Sequence, residues 1–314
     1  MSTVDLQALN RKRKKNTRPV WDDEPSRLGK LSKAAFLICY AAAIVVPIWA
    51  IVVTSLASEE AMNRAGGNLL LVPTDLSLQA YREIFSGGAL TESLVLTIIL
   101  TAGGTALSMV LTIGAAYGLS RPGTLMHRPL LMLVLFTFLF APGMYPQFLV
   151  VQKLGLFNSY LSLVLPMALN AFNLIVLRAF FMNSVPGELI DAAKMDGAGE
   201  FRLLFKIVLP MSKAILAVIA LFYAVGYWNI YFSAVLYVPA QDVQPIQVVL
   251  QRMLMSTQGL PGAAGQASQY QTAAAPDSAL KMAVVVCTII PIVIMYPFIQ
   301  KHFTKAVITG AIKG

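Results

Sequence analysis

Six stretches of this 314-residue chain run long enough without a charged side chain to cross a lipid bilayer, and they leave few folds open. They are residues 34–56, 93–118, 130–151, 160–177, 214–238 and 282–300. A helix rises about 1.5 Å per residue, so each run covers most or all of a hydrocarbon core about 30 Å thick. Inside lipid, backbone N–H and C=O groups must be satisfied within the segment, which selects helices over isolated strands. Hydrophobic residues make up 57% of the chain and charged residues 12%, against roughly a quarter charged in soluble domains. The expectation is an all-α membrane protein with six transmembrane helices. A seventh uncharged run, 253–276, is rich in Gly, Gln, Ser and Pro and would be poorly satisfied in lipid. It reads as part of an external loop spanning 239–281.

Charge placement gives the orientation. Of the 24 Lys and Arg residues, nineteen fall in the N-terminal tail, the second-to-third and fourth-to-fifth connections, and the C-terminal end. The other five are Arg64, Arg82, Lys153, Arg252 and Lys281. The positive-inside rule then predicts that both termini and the interval 186–210 are cytoplasmic. This asymmetry accounts for the net charge of +9 without a nucleic-acid partner. The tail 1–33, with Arg11, Lys12, Arg13, Lys14 and Lys15 in sequence, suits attraction to anionic lipid. The first span directly after it is too long for a removed signal peptide and is expected to stay as an anchor.

The interval 186–210, PGELIDAAKMDGAGEFRLLFKIVLP, is the one long polar stretch on the predicted inner side. Ser184 before Pro186 suggests a capped helix start, and Glu188 and Asp191 suit the positive end of a helix dipole. Leu189, Ile190, Ala192 and Ala193 give that short helix an apolar side. Gly197 supplies a break, a helical pattern resumes over 201–205, and Pro210 closes the unit. Two short helices joined by a glycine elbow are predicted.

An acidic residue, two alanines, three residues, glycine, nine residues and Ile-x-Leu-Pro recur here as Asp191, Ala192, Ala193, Gly197, Ile207, Leu209 and Pro210. That spacing resembles the coupling loop of ABC importer permease subunits, in the binding-protein-dependent carbohydrate uptake family. Asp191 stands where glutamate is usual and keeps the charge. Residues 296–314 are similar to the C-terminal tail of sugar-type members, with Phe303, Lys305, Gly310, Lys313 and Gly314 in matching places. The long 239–281 loop and Pro245-Ile246-Gln247 resemble the oligosaccharide branch. The resemblance implies a type I importer permease, with a basic tail (1–33), a six-span domain (34–300) and a cytoplasmic end (301–314). It implies ATPase coupling through Glu188, Asp191, Ala192, Ala193, Asp196, Gly197, Ile207, Leu209 and Pro210, and tail contacts through Lys305, Gly310 and Lys313. The implied partners are a second, different permease, two ABC ATPase subunits that bind ATP and Mg, and an extracytoplasmic solute-binding protein. The implied location is the bacterial inner membrane.

Several residues within the spans are candidates for the substrate path. Tyr145 lies between Pro142 and Pro146. Asn170 and Asn173 are in the fourth span, and Tyr227, Trp228 and Asn229 in the fifth. Amides and aromatic faces suit a sugar's hydroxyls and C–H face, and they equally suit interhelical hydrogen bonding. The second span carries small residues, Gly103, Gly104, Ala106, Ser108, Gly114, Ala115 and Gly118, which suit tight helix packing. Residues 78–85 read as an amphipathic helix at the outer surface. Cys39 and Cys287 read as small core residues, and His127 and His302 as interfacial residues rather than ligands. The sequence contains no G-x-x-x-x-G-K-[ST] phosphate loop, no Asp, Glu, Lys or His well inside any run, and no nucleophile or metal constellation. It therefore offers no ATPase site or cofactor of its own. The competing classes are an ion-coupled carrier and a non-transporting membrane scaffold.

Overall fold

The computed structural model describes residues 27–66, 68–86, 88–121, 126–257 and 277–311, with side chains over 28–255, apart from Ser184, and 277–297. Every regular element among them is helical. The chain divides into two units, Met1–Ala50 and Ile51–Gly314. The first helix, α1 (Arg27–Ser55), contains Pro47 and carries Cys39 in an exposed position. The expectation that Cys39 fills a core is therefore not met, whereas Cys287 is buried.

Two short helices, α2 (Glu59–Arg64) and α3 (Gln79–Ile84), lie in the connection to the second span. The amphipathic helix expected at 78–85 is α3, whose Ala80 and Ile84 are buried. Tyr81 shares a 2.8 Å hydrogen bond with the Ser55 hydroxyl and so fixes that helix to the end of the first span. Ala80, Ile84 and Tyr81 join Met62, Ile246, Val249, Leu280 and Val284 in one apolar cluster.

The six expected spans are not six continuous helices. Three are unbroken: α1, α4 (Ala89–Ser120), and the apolar part of α15 (Asp277–Ala311). The third run divides into α5 (His127–Leu139) and α6 (Met144–Lys153). Gly143 between them has φ of +79°, and Pro142 and Pro146 cannot donate to a helical ladder. The fourth run bends by 44° between Leu161–Met167 and Ala171–Asn183. Its first half is α7 (Leu161–Val164) with a 3-10 turn containing Pro166, and its second half is α8 (Ala171–Ser184).

After α8 come α9 (Gly187–Met195), α10 (Glu200–Leu203), a π turn over Leu204–Val208, and α11 (Leu209–Met211). Pro210 has no N–H for the carbonyl four residues before it, and the helix widens into the π turn just ahead of it. The fifth span then turns 86° at Ser212 into α12 (Lys213–Trp228). α12 stops at Asn229, whose side-chain amide donates to the carbonyl of Val225 and competes with the backbone ladder. α13 (Tyr231–Tyr237) and α14 (Ile246–Thr257) follow. The greater part of the 253–276 loop lies outside the described residues. α15 contains Pro291 and Pro297, and its backbone continues past the boundary expected at 300.

Within the second unit, α4 is the central rod and packs against α12, α8 and α14. Its close face repeats every four residues as Leu100, Gly104, Ser108, Thr112 and Ala116, all buried. This is one helical stripe of small and hydroxylated side chains. Gly103, Gly114 and Gly118, also expected to serve tight packing, have open space where a side chain would stand. Gly104 does not: an added Cβ would lie 2.8 Å from the Tyr227 ring.

Candidate functional site

The loop helices form as the glycine spacing requires. α9 begins at Gly187, with Pro186 in the cap position and no side-chain cap. Ser184 is instead the last residue of α8, so the expected hydroxyl cap is replaced by the fixed φ of proline. At the other end the N–H of Ala198 bonds the carbonyl of Ala193 at 2.9 Å, and that of Gly197 bonds the carbonyl of Lys194 at 3.0 Å. Together with φ of +79° at Gly197, these two bonds make a Schellman stop. The elbow thus needs glycine for its backbone, since nothing lies near where a Cβ would stand.

The motif residues divide between two faces. Glu188, Asp191, Ala192, Asp196 and Pro210 are exposed, while Ala193, Ile207 and Leu209 are half-buried. Ile190, Ile207 and Leu209 pack on a cluster that includes Ala116, Tyr117, Leu177, Phe181 and Val208. Large apolar groups remain uncovered on the other side: Leu189, Met195, Phe201 and Phe205, with Met195 89% and Phe201 80% exposed. Lys305 and Gly310 fall in the α15 backbone without described side chains, and Lys313 and His302's side chain lie outside the described residues.

Between the end of α4 and the loop lies an open cavity of about 770 Å³, lined by Tyr117, Arg121, His127, Asp191, Lys194 and Glu200 among others. The Tyr117 hydroxyl donates to Glu200 Oε2 at 2.5 Å and accepts from Arg121 at 3.0 Å. Lys194 Nζ stands 3.2 Å from the other carboxylate oxygen. The Tyr117 hydrogen bond holds the Glu200 carboxyl below its ordinary range; partial burial opposes this, and Lys194 and Arg121 add to it. His127 is half-buried beside Arg178, which donates to the carbonyl of Leu119 at 2.8 Å. Among the described residues no group of His, Cys, Asp or Glu is arranged to hold a metal ion.

The six substrate-path candidates separate. Asn170 and Asn173 line a pocket of about 420 Å³ with Phe172, Phe222, Tyr223 and Gly226. Asn170 caps α8 by accepting from the N–H of Asn173. Tyr227 is fully buried, and its hydroxyl bonds Ser108 at 2.8 Å and the carbonyl of Val164 at 3.1 Å. Trp228 is buried with its indole N–H on the carbonyl of Thr288. Tyr145 and Asn229 are exposed and stand apart from that pocket.

Comparison with known proteins gives the same architecture a family. Residues 26–309 match the model of the binding-protein-dependent transport system inner membrane component. The chain belongs to that family of importer permeases. It is 43% identical over 290 residues to the polygalacturonan/rhamnogalacturonan transport system permease protein YtcP of Bacillus subtilis (strain 168), covering 92% of this chain and 99% of that one. It is 38% identical to protein LplC of the same organism over 284 residues, 89% of this chain and 92% of that one. A chain of the crystal structure of a bacterial ABC transporter involved in import of the acidic polysaccharide alginate superposes with a TM-score of 0.78. There the identity is 30%, and the match covers 91% of this chain and all of the other.

As a permease of this family, the chain is a multi-pass membrane component of an ABC importer, and nucleotide hydrolysis resides in a separate subunit. Two residues of this permease escaped the sequence reading. Tyr223 lines the asparagine pocket, and its place four residues before Tyr227 on one helix face was the available signal. Glu200 gave no signal, because its partner Tyr117 lies 83 residues away.

Proposed function

We propose that the permease carries oligosaccharides released from acidic polysaccharides, with a separate ATPase pair gripping 186–210 on the cytoplasmic side. One arrangement in the chain supports this above all. An exposed loop helix, α9, follows directly on α8, which runs back to the 44° break in the fourth span. Force applied to α9 passes along α8 to that break, where Asn170 and Asn173 line their pocket. A shift between two stable arrangements at the break would open the path alternately to either side. Met195, Phe201 and Phe205 give the loop an apolar surface of the kind a partner covers. Glu188, Asp191 and Asp196, exposed on the same loop, add charge that can direct docking. The C-terminal residues Lys305, Gly310 and Lys313 would add a second contact to the ATPases.

The pocket offers the amides of Asn170 and Asn173 for hydroxyl groups, and the rings of Phe172 and Phe222, 6.4 Å apart, for a sugar's C–H face. The named relatives serve polygalacturonan, rhamnogalacturonan and alginate, which supports uronate-rich substrates. A second permease of different sequence and an external binding protein would complete the assembly.

The test is uptake into proteoliposomes holding this chain with its partner permease, ATPases and binding protein. ATP-dependent entry of oligogalacturonides or alginate oligosaccharides, with neutral oligosaccharides excluded, is the expected result. Uptake by this chain alone, driven by an ion gradient, would replace the reading with an ion-coupled carrier.

A further inference from the structure

Glu200 sits where three segments of the chain meet. It is the first residue of α10, which opens the continuous helical stretch Glu200–Met211 after the glycine elbow. One carboxylate oxygen receives the Tyr117 hydroxyl from the base of α4 at 2.5 Å. The other faces Lys194 in the last turn of α9 at 3.2 Å. Arg121 donates to the Tyr117 oxygen, stacks over its ring with 4.5 Å to the centroid, and has Nε 3.9 Å from the carboxylate. The order of donation is Arg121 to Tyr117 to Glu200, met from the far side by Lys194. Each bond in such a chain polarises the next.

From this geometry we infer that Glu200 is a positioning residue, locking the loop helix α9 to the base of the second span so that the two move as one body. The inference deepens the proposed coupling role of 186–210 and rests on it. Without the lock, α9 holds to the bundle through the chain on either side and through Ile190 on the apolar cluster, and the glycine elbow between α9 and α10 could flex. With it, a push on α9 also reaches α4, the rod against which α8, α12 and α14 pack. An exposed ion pair alone would contribute little. Tyr117 separates this contact from that case, because it is only 9% exposed and its bond to the carboxylate is short and charge-assisted.

Glu200 is itself half-exposed, so a direct contact with the ATPase is the rival explanation of any defect in Glu200→Gln. Tyr117→Phe separates the two, since the buried ring keeps its packing and loses only the hydroxyl. Both variants and the double variant are compared with wild type in the full transporter in lipid nanodiscs and proteoliposomes. Two quantities are read: amide hydrogen exchange over 196–203, which needs no substrate, and oligogalacturonide uptake per ATP hydrolysed.

The lock predicts faster exchange in both single variants and uptake per ATP lowered about fivefold or more, the lower end of coupling between distant sites. The double variant should be no worse than Glu200→Gln alone, because that change already removes the contact Tyr117→Phe breaks. Unchanged exchange in Tyr117→Phe overturns the inference, as does faster exchange with undiminished uptake per ATP. If Glu200→Gln fails to assemble, Tyr117→Phe decides alone. If the wild type imports no oligogalacturonide, the substrate assignment fails, and exchange over 196–203 still decides the lock.

Discussion

The break in the fourth span and the elbow of the loop are both places where a helix stops, yet they are closed in opposite ways. At the break, two backbone groups are met by hydroxyls from another helix of the same chain. The carbonyl of Val164, at the start of the 3-10 turn that contains Pro166, accepts the Tyr227 hydroxyl. The N–H of Asn170, outside the helix that follows, donates to the Tyr223 hydroxyl, which shares a 2.6 Å bond with Thr112. The two tyrosines, four residues apart on α12, thus tie the broken span to α4. At the elbow, the stop is made by backbone alone around Gly197, and large apolar side chains are left uncovered. Buried polar groups in lipid need internal partners, and the break satisfies that need within one chain. The loop leaves Met195 and Phe201 uncovered by its own chain.

The contrast can be broken most severely at the elbow. Gly197→Val puts a β-branched residue at φ of +79°, a strain of about 1–3 kcal/mol. It should abolish co-purification with the ATPases or ATP-driven uptake while leaving the chain's insertion in the membrane unchanged. Gly197→Ala should be intermediate and Gly197→Asn mildest, because asparagine tolerates the left-handed region. Equal behaviour of the three would show that the backbone conformation is not what the loop requires.

Next in size is Gly104→Ala. Its Cβ would stand 2.8 Å from the Tyr227 ring, and overpacking of this kind costs about 1–3 kcal/mol. A lower unfolding temperature in micelles is expected, and Gly103→Ala, with open space around it, should show none.

Removing single hydroxyls sharpens the comparison further. Tyr223→Phe and Tyr227→Phe should each destabilise the purified chain by about 1 kcal/mol, read from the same unfolding curves. If either lowered uptake without altering stability, that hydroxyl would belong to the substrate path instead of the seal.

The smallest effect is one of pH. The Glu200 carboxyl is held below its ordinary range, chiefly by Tyr117. Its contribution is therefore fully present above the ordinary carboxylate pKa of about 4.3 and fades as pH falls from there through the depressed folded value. The excess exchange protection of wild type over Glu200→Gln across 196–203 should be constant near neutrality and shrink only in that acid window. A loss of the excess near pH 7 would contradict the carboxylate's place in the contact.

The loop was legible because its parts are local. A Schellman stop is made by residues five positions apart, so the Ala193 to Ala198 interval carries its own geometry. The asparagines of the fourth span were visible as polar groups in an apolar run, and they do line a common pocket. The same reasoning grouped Tyr227 and Trp228 with them, and it had no means of knowing that Ser108 and Thr288 would take up their polar atoms. The count of six spans shows the same limit. The runs are correct as apolar stretches, but the helices stop near Pro142, Pro166 and Asn229, and at the fourth-span break it is hydroxyls of α12 that bond the backbone.

By itself the sequence determined that this chain lies in a membrane, that it is helical, and that it presents a glycine-jointed loop. Hydrocarbon thickness, backbone satisfaction and left-handed φ act on residues close together in the chain. Only the tertiary structure decided which polar side chains are used up as seals, which line open space, and which carboxylate grips the second span. Those partners lie tens to more than a hundred residues apart, and hydrogen bonding between such groups depends on how the helices pack, which no local pattern records.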